Sequence, residues 1–153
     1  MSLKIYCCYP MTGLSYDQVI EYYTDMDQIL SNMGFKVLQP MTGKEKLESE
    51  VELKAHGYTG NPIITDHAII ERDRWMVLQS DILLVNLLDA KERVSIGSCM
   101  ELAWGHDHGK HTIVLMQSDN IHQHAFVKES ADILFESEKD AFDYLINYKN
   151  FNR

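Results

Sequence analysis

The sequence predicts an α/β fold: a doubly wound, flavodoxin-like three-layer sandwich on a five-stranded parallel sheet. Two observations carry this. Short apolar, β-prone runs alternate with longer stretches of helical spacing, an alternation that implies right-handed crossovers between parallel strands. One of those runs, Ile82-Leu83-Leu84-Val85-Asn86-Leu87-Leu88, is almost continuously apolar, as a strand covered on both faces must be. At 153 residues and 45% hydrophobic content, the chain fills one core and is too short for two, so residues 1–153 read as a single domain.

The elements follow in order. Lys4 to Cys8 is a short buried strand that stops at the turn-forming cluster Tyr9-Pro10-Met11-Thr12-Gly13. Ser15-Tyr16-Asp17-Gln18 has the form of a capping box, and Val19, Tyr22, Tyr23, Met26, Leu30 and Met33 continue at helical spacing until Gly34 ends the helix. Phe35 to Leu38 gives a second strand, closed by Pro40. Met41 to Pro62 is polar, carries Gly43, Gly57 and Gly60, and has no long period. Compact domains seldom hold a loop longer than about 12 to 15 residues without a use for it, so this one reads as an active-site loop or flap. Ile63 to Ser80 suits a second helix and Ile82 to Leu88 the third strand. Ser98 to Gly109 is expected as the third helix, His111 to Met116 as the fourth strand and Ala131 to Phe135 as the fifth. Ser137 to Tyr148 closes the chain as a helix.

Composition narrows the function. Fourteen Lys and Arg against 23 Asp and Glu give a formal net charge of −9, which is not the basic footprint of a protein that grips a nucleic-acid polymer. A small anionic ligand is still compatible, because one helix N-terminus holds a phosphate locally. Three cysteines, two of them adjacent at Cys7 and Cys8, fit a reducing compartment better than a disulfide framework. No run approaches the roughly 18 to 20 apolar residues of a membrane span, and the N-terminus lacks a secretory pattern, so no membrane partner and a cytoplasmic location are expected.

In open parallel sheets, ligands bind beyond the carboxyl ends of the strands, where the strand order reverses. This selects the loops Tyr9 to Gly13, Asp89 to Ser98 and Gln117 to His124. The richest segment is Ser95-Ile96-Gly97-Ser98-Cys99-Met100-Glu101-Leu102-Ala103-Trp104-Gly105, in which a glycine-containing turn enters a helix with a carboxylate expected in its first turn. Two readings compete for Glu101. Ser98-x-x-Glu101 is itself a capping box, in which the glutamate merely bonds back to the cap amide. Alternatively the carboxylate faces a ligand.

Three segments taken together resemble the nucleoside 2-deoxyribosyltransferase family. They are Asp81 to Asn86, then Ser95-x-Gly97-x-x-x-Glu101-Leu102-Ala103-Trp104, then Gly109-Lys110-His111-Thr112-Ile113-Val114. The opening Ile5-Tyr6-Cys7-Cys8-Tyr9-Pro10-Met11-Thr12-Gly13 is similar to that family's first strand and loop, and the segments stand in the expected order over most of the core. The resemblance implies a two-step retaining mechanism with Glu101 as nucleophile at the anomeric carbon of a nucleoside or nucleotide. The covalent glycosyl-enzyme is then resolved by another nucleobase or by water, the logic of retaining glycosidases applied to an N-glycosidic bond. Glu101 must be ionised to attack, and a helix N-terminus favours that state.

A departing nucleobase is a poor anion, so a proton donor or hydrogen-bonding acid is needed beside it. The resemblance points to Asp73, expected at the end of the helix that feeds the central strand. The competing reading makes Arg72-Asp73-Arg74 a solvated charge cluster worth little. One departure matters. Six residues before the nucleophile, transferases of free nucleosides carry an aspartate for the sugar hydroxyl, whereas this chain has Ser95. Serine there is similar to the related deoxynucleoside 5'-monophosphate N-hydrolases and cytidylate hydrolases, in which it helps to bind phosphate. Ser95, Gly97 and Ser98 are therefore the expected phosphate cradle, with an ordinary turn serine as the alternative for Ser95.

Tyr9 and Met11, with Gly13 in the same loop, are expected against the base or ribose, or else at the top of the core. Gln117, Ser118 and Asn120 follow the fourth strand, where family members lend a polar side chain to a neighbouring subunit's site. His106-Asp107-His108 and His122-Gln123-His124 superficially suggest a metal, but helix ligands pair at i and i+4, so helix-end histidines are the default. His67 reads as a packing or loop contact. No metal and no cofactor are expected. Two rival functions stand beside the N-glycosyl enzyme: a catalytically silent nucleotide-sensing module on the same fold, and a hydrolase of a larger adenine or nicotinamide nucleotide. A homodimer or dimer of dimers is expected, with Trp104 as an exposed-leaning aromatic at the contact.

Overall fold

The computed structural model describes residues 1–42, 44–48 and 50–151. Gly43, one of the loop glycines, lies outside the described residues, as do Ser49 and residues 152–153. Strand β1 (Lys4–Cys8) leads into helix α1 (Tyr16–Asn32), whose start is the expected capping box: Ser15 accepts from the Gln18 amide while the Gln18 side chain accepts from the Ser15 amide. Strand β2 is Lys36–Leu38. Then come α2 (Asp66–Gln79), β3 (Ile82–Asn86), α3 (Ile96–Asp107), β4 (His111–Leu115), α4 (Ala125–Glu129), β5 (Ile133–Phe135) and α5 (Glu138–Phe151).

The five strands form one sheet in the order β2-β1-β3-β4-β5, with every neighbouring pair parallel. Side chains alternate across it with the two-residue period of a strand. Ile5 and Cys7 of β1, with Ile82 and Leu84 of β3, join a core with Val19, Tyr23 and Leu30 of α1 and Ala141 and Leu145 of α5. Tyr6 and Cys8 point the other way, into a core with Leu83, Val85, Met76, Val77 and Leu102. This other face, under α2 and α3, carries the candidate chemistry. Gly105 brings α3 down onto it, because a Cβ there would stand 2.5 Å from a methyl of the fully buried Leu83. One turn earlier on the same helix face lies Glu101.

Several boundaries differ from the expectations. The helix expected from Ile63 to Ser80 is broken: Pro62–Ile64 is a short 3-10 turn, and Thr65, in an extended conformation, caps α2 through its hydroxyl. The third strand ends at Asn86 rather than Leu88, because the Asn86 side chain accepts from the Leu88 amide and turns the chain. Helix α3 begins two residues early, at Ile96, since Ser95 and not Ser98 is its cap. Helix α4, started by His124, has no counterpart among the expected elements. The long segment from Met41 to Pro62 is no free flap: Met41, Lys44, Leu47 and Leu53 are buried. Backbone bonds from Gly13 to Leu53 (2.9 Å), Leu53 to Leu14 (2.6 Å) and Tyr16 to Glu50 (3.1 Å) fasten it to the loop after β1. Gly13, at φ +92°, supplies the left-handed turn that this fastening requires.

Candidate active site

A cavity of about 810 Å³ opens beyond the carboxyl ends of β1 and β3, where the strand order reverses. The loop after β1 walls it with Tyr9 and Met11, the segment after β2 with Met41, Lys44 and Leu53, α2 with Asp73, and the start of α3 with Ser95, Gly97, Ser98 and Glu101. Its lining is mostly apolar by area, with Lys44, Asp73 and Glu101 buried within it and Lys54, Asp66, His67 and Arg93 exposed around them, a composition that suits a small polar ligand.

Glu101 is 8% exposed, and its Oε1 accepts a 3.0 Å hydrogen bond from the Tyr6 hydroxyl. The capping-box reading fails here. With Ser95 as the cap, Glu101 stands in the second turn of α3, facing the sheet rather than its own helix start. The expectation that the helix N-terminus keeps this carboxyl ionised is corrected too, because that influence fades within the first turn. Burial, and then the charge of Asp73, push the Glu101 carboxyl up to about 7, against the lowering effect of hydrogen bonds from Cys8 and Tyr6 and of the Lys44 charge.

Asp73 lies in the middle of α2, not at its end, and is only 7% exposed, so the solvated-cluster reading of Arg72-Asp73-Arg74 fails for this residue. Its Oδ2 is 3.3 Å from Lys44 Nζ, and both side chains are almost fully enclosed. Oδ1 is shielded from water and has no hydrogen-bond partner among the described residues. Burial raises the Asp73 carboxyl above the usual carboxylate range, opposed by Lys44 and then Arg72.

The Ser95 hydroxyl donates to Ser98 Oγ at 2.9 Å and accepts a longer, 3.4 Å bond from the Ser98 amide. The Ser95 amide in turn donates to Nε2 of the buried His122 at 2.8 Å. His122 Nδ1 lies 2.9 Å from Asn120 Oδ1, so the ring carries its proton on Nδ1 and accepts through Nε2. The helix start facing the cavity is thus held from behind by a relay from Asn120 through His122. The amides of Ile96 and Gly97, in the first turn, have no acceptor within the helix.

The remaining expected residues divide. Tyr9, Met11, Gly97 and Ser98 line the cavity. Tyr9 stacks on Tyr22 at 3.8 Å between ring centroids and donates to Asp89 at 2.7 Å, which fixes its ring at the mouth. Gly13 shapes the loop from outside the lining. Asn120 is not brought to the cavity: its amide donates to Leu87 O and Gln117 Oε1, and its oxygen accepts from His122. Trp104, expected as an exposed interface aromatic, is half-buried against the core and lines the cavity. His67 is exposed at the cavity rim. His108 bonds the Trp104 carbonyl at the end of α3, and His124 caps α4. Sequence reasoning missed Tyr6, Cys8, Lys44 and His122. The two-residue period of β1 puts Tyr6 and Cys8 on one face, but nothing local marks Lys44 as buried.

No known protein-family profile matches the sequence, and no curated protein matches it. Solved structures do. The 2-deoxyribosyltransferase of the psychrotolerant bacterium Bacillus psychrosaccharolyticus superposes with a TM-score of 0.65 at 17% identity, covering 92% of this chain and 91% of that one. A conserved protein from Enterococcus faecalis V583 gives 0.62 at 17% identity, covering 97% and 99%. The CMP N-glycosidase BcmB of Clostridium botulinum gives 0.58 at 14% identity, covering 95% and 98%. At such identities the likeness is one of architecture, and it fits the resemblance carried by the sequence segments: the fold of this chain is that of the nucleoside 2-deoxyribosyltransferases.

Proposed function

We propose that the chain is an N-glycosyl enzyme that cleaves or exchanges the nucleobase of a (deoxy)nucleoside or nucleoside 5'-monophosphate through a covalent intermediate on Glu101. The observation that carries this reading is the pair of buried carboxyl groups, Glu101 and Asp73, lining one cavity at the switch point of the sheet. Two structural neighbours, a 2-deoxyribosyltransferase and a CMP N-glycosidase, act on such bonds. In the first step a Glu101 oxygen forms a bond to the anomeric carbon as the C–N bond breaks, and the electron pair of that bond leaves with the base. Asp73 supplies the proton or hydrogen bond that the base needs to depart. In the next step water or another base attacks the same carbon and frees Glu101.

The Tyr6 hydroxyl holds Glu101 Oε1 at 3.0 Å and so fixes the orientation of the carboxylate. Ser95, Ser98 and the first-turn amides of Ile96 and Gly97 suit a 5'-phosphate. The enzyme is read as a homodimer or dimer of dimers, supported by the exposed apolar side chains Ile96 and Met100 of the cavity lining, 72% and 40% exposed, which a neighbouring subunit would cover. Sedimentation showing only monomer at micromolar concentration overturns that part. The size of the cavity also favours one alternative, a larger adenine- or nicotinamide-containing nucleotide, since about 810 Å³ lies towards the upper end of the range for ligand pockets. Among the described residues, no helix is long and apolar enough to cross a membrane.

The test is incubation with a panel of nucleosides, 5'-monophosphates and larger nucleotides, with and without a second free base, followed by chromatography. Base exchange identifies a transferase, and free base without exchange a hydrolase. Silence across the panel overturns the proposal in favour of a nucleotide-sensing module.

A further inference from the structure

Two carboxyl groups that share one enclosed cavity repel each other, and each is also disfavoured as an anion by burial. Glu101 of α3 must nevertheless be ionised if it is to attack. The structure places a cation at this point that neither the sequence motifs nor the mechanism above uses. Lys44 lies in the segment after β2, is 3% exposed, lines the same cavity, and holds Asp73 Oδ2 at 3.3 Å. An ammonium has three donors, and among the described residues only one of them is spent, on Asp73. A lysine is rarely buried without a charge to answer, and its own burial lowers the Lys44 ammonium, against the raising effect of Asp73 and Glu101.

We propose that Lys44 is the counter-cation of the two-carboxyl site, a positioning residue that pins Asp73 through Oδ2 and offsets the charge of Asp73 and Glu101 together. The charged groups that act on it are Asp73, with which it is paired, and Arg72 from α2, and Glu101 from α3. Glu101 is in turn met by Tyr6 and Cys8 of β1. Of these, only Lys44 and Arg72 are cations. Arg72 donates from Nη1 to the Ile63 carbonyl at 3.4 Å and is not part of the cavity lining, and Lys54 and Arg93 line it but are exposed to solvent, which leaves Lys44 as the buried cation of the lining. Replacing Lys44 with a neutral side chain therefore leaves two carboxyls competing for one charge, and the nucleophile takes up a proton at neutral pH.

This inference rests on the reading of Glu101 and Asp73 as the working pair, and its test has a readout independent of turnover. The carboxyl of Glu101 is titrated by carbon-13 NMR in protein labelled at glutamate, its signal assigned by its loss in Glu101→Gln. Wild type, Lys44→Met, Lys44→Gln and Lys44→Arg are compared. Lys44→Gln keeps a donor for Asp73 without the charge, and also serves if Lys44→Met does not fold. The expected result is a fall of about tenfold or more in the ionisation constant of Glu101 in both neutral variants, with Lys44→Arg close to wild type. The acid limb of kcat/KM should move to higher pH by the same factor. An unmoved Glu101 midpoint in the neutral variants overturns the proposal. So does a uniform loss of kcat at every pH, which is the signature of a purely structural lysine. A wild type that titrates as expected but releases no base from any substrate overturns the N-glycosyl reading instead, leaving the counter-cation assignment intact.

Discussion

Replacing Glu101 by glutamine should make the protein more stable at alkaline pH, and the size of the gain follows from the burial of this one carboxyl. Its ordinary value is 4.5 and the folded protein raises it to about 7. For an acid raised in this way the folded state binds the proton more tightly than the unfolded state. The stabilisation that this provides is fully present below about 4.5 and is lost as pH rises to about 7. Above that, folding has to bury an anion that the unfolded chain leaves in water. The difference between the two values corresponds to roughly 3 kcal/mol. Coupling to Asp73 and Lys44 spreads part of it over neighbouring groups, so about 2 to 3 kcal/mol is expected for Glu101 alone. Glutamine has nearly the same volume and can still accept from the Tyr6 hydroxyl, so it removes the charge and little else. Urea denaturation of both proteins between pH 4.5 and 8.5 should show a gap that opens through pH 5 to 7 and reaches its full size, in favour of glutamine, by pH 8. In thermal unfolding this is about 5 to 10 °C at a chain length of 153 residues. A stability difference that does not change with pH would mean that Glu101 titrates in the folded protein as it does in the unfolded one, and that its burial does not raise it.

Other outcomes follow from the same geometry. Asp73→Asn should slow base departure by roughly 10² to 10⁴, the usual worth of a positioned acid or base, and an unchanged single-turnover rate would remove Asp73 from the chemistry. Ser95→Asp should weaken a 5'-monophosphate by roughly 1 to 3 kcal/mol and spare or improve the nucleoside, because it sets a carboxylate against the phosphate at the start of α3. Calorimetry with a matched nucleoside and monophosphate decides this. Equal losses for both ligands, or a wild type that prefers the nucleoside, would remove the phosphate site.

The sheet is legible in the sequence because its central strand is apolar on both faces and its connections carry helical spacing, and both features are local. The start of α1 is legible for the same reason, since its capping box closes within four residues. At α3 two overlapping frames offer a cap, Ser95-x-x-Ser98 and Ser98-x-x-Glu101. The latter is the stronger local pattern because it ends in a glutamate, but that glutamate is drawn to Tyr6 on a strand 95 positions away, which no local pattern can report. Lys44 is hidden by its surroundings. A lysine in a polar, glycine-containing loop reads as solvated, and its burial depends on Leu47 and Leu53 folding that loop back over the turn after β1. His122 stands in a His-x-His run that superficially suggests a metal, whereas its neighbours turn it into a brace for the Ser95 amide. Helix α4, at five residues, is too short to show a period.

A glycosyl group carried on Glu101 would be seen most directly by mass spectrometry of the intact protein quenched during turnover. The best panel substrate, or its slowly turned-over 2-fluoro analogue, serves as the donor. The expected result is a transient mass increase equal to the sugar, or sugar phosphate, without its base, located by peptide mapping on Glu101 and missing from Glu101→Gln, which should also lose turnover. Release of base by the wild type without any such adduct, together with full turnover by Glu101→Gln, would contradict it.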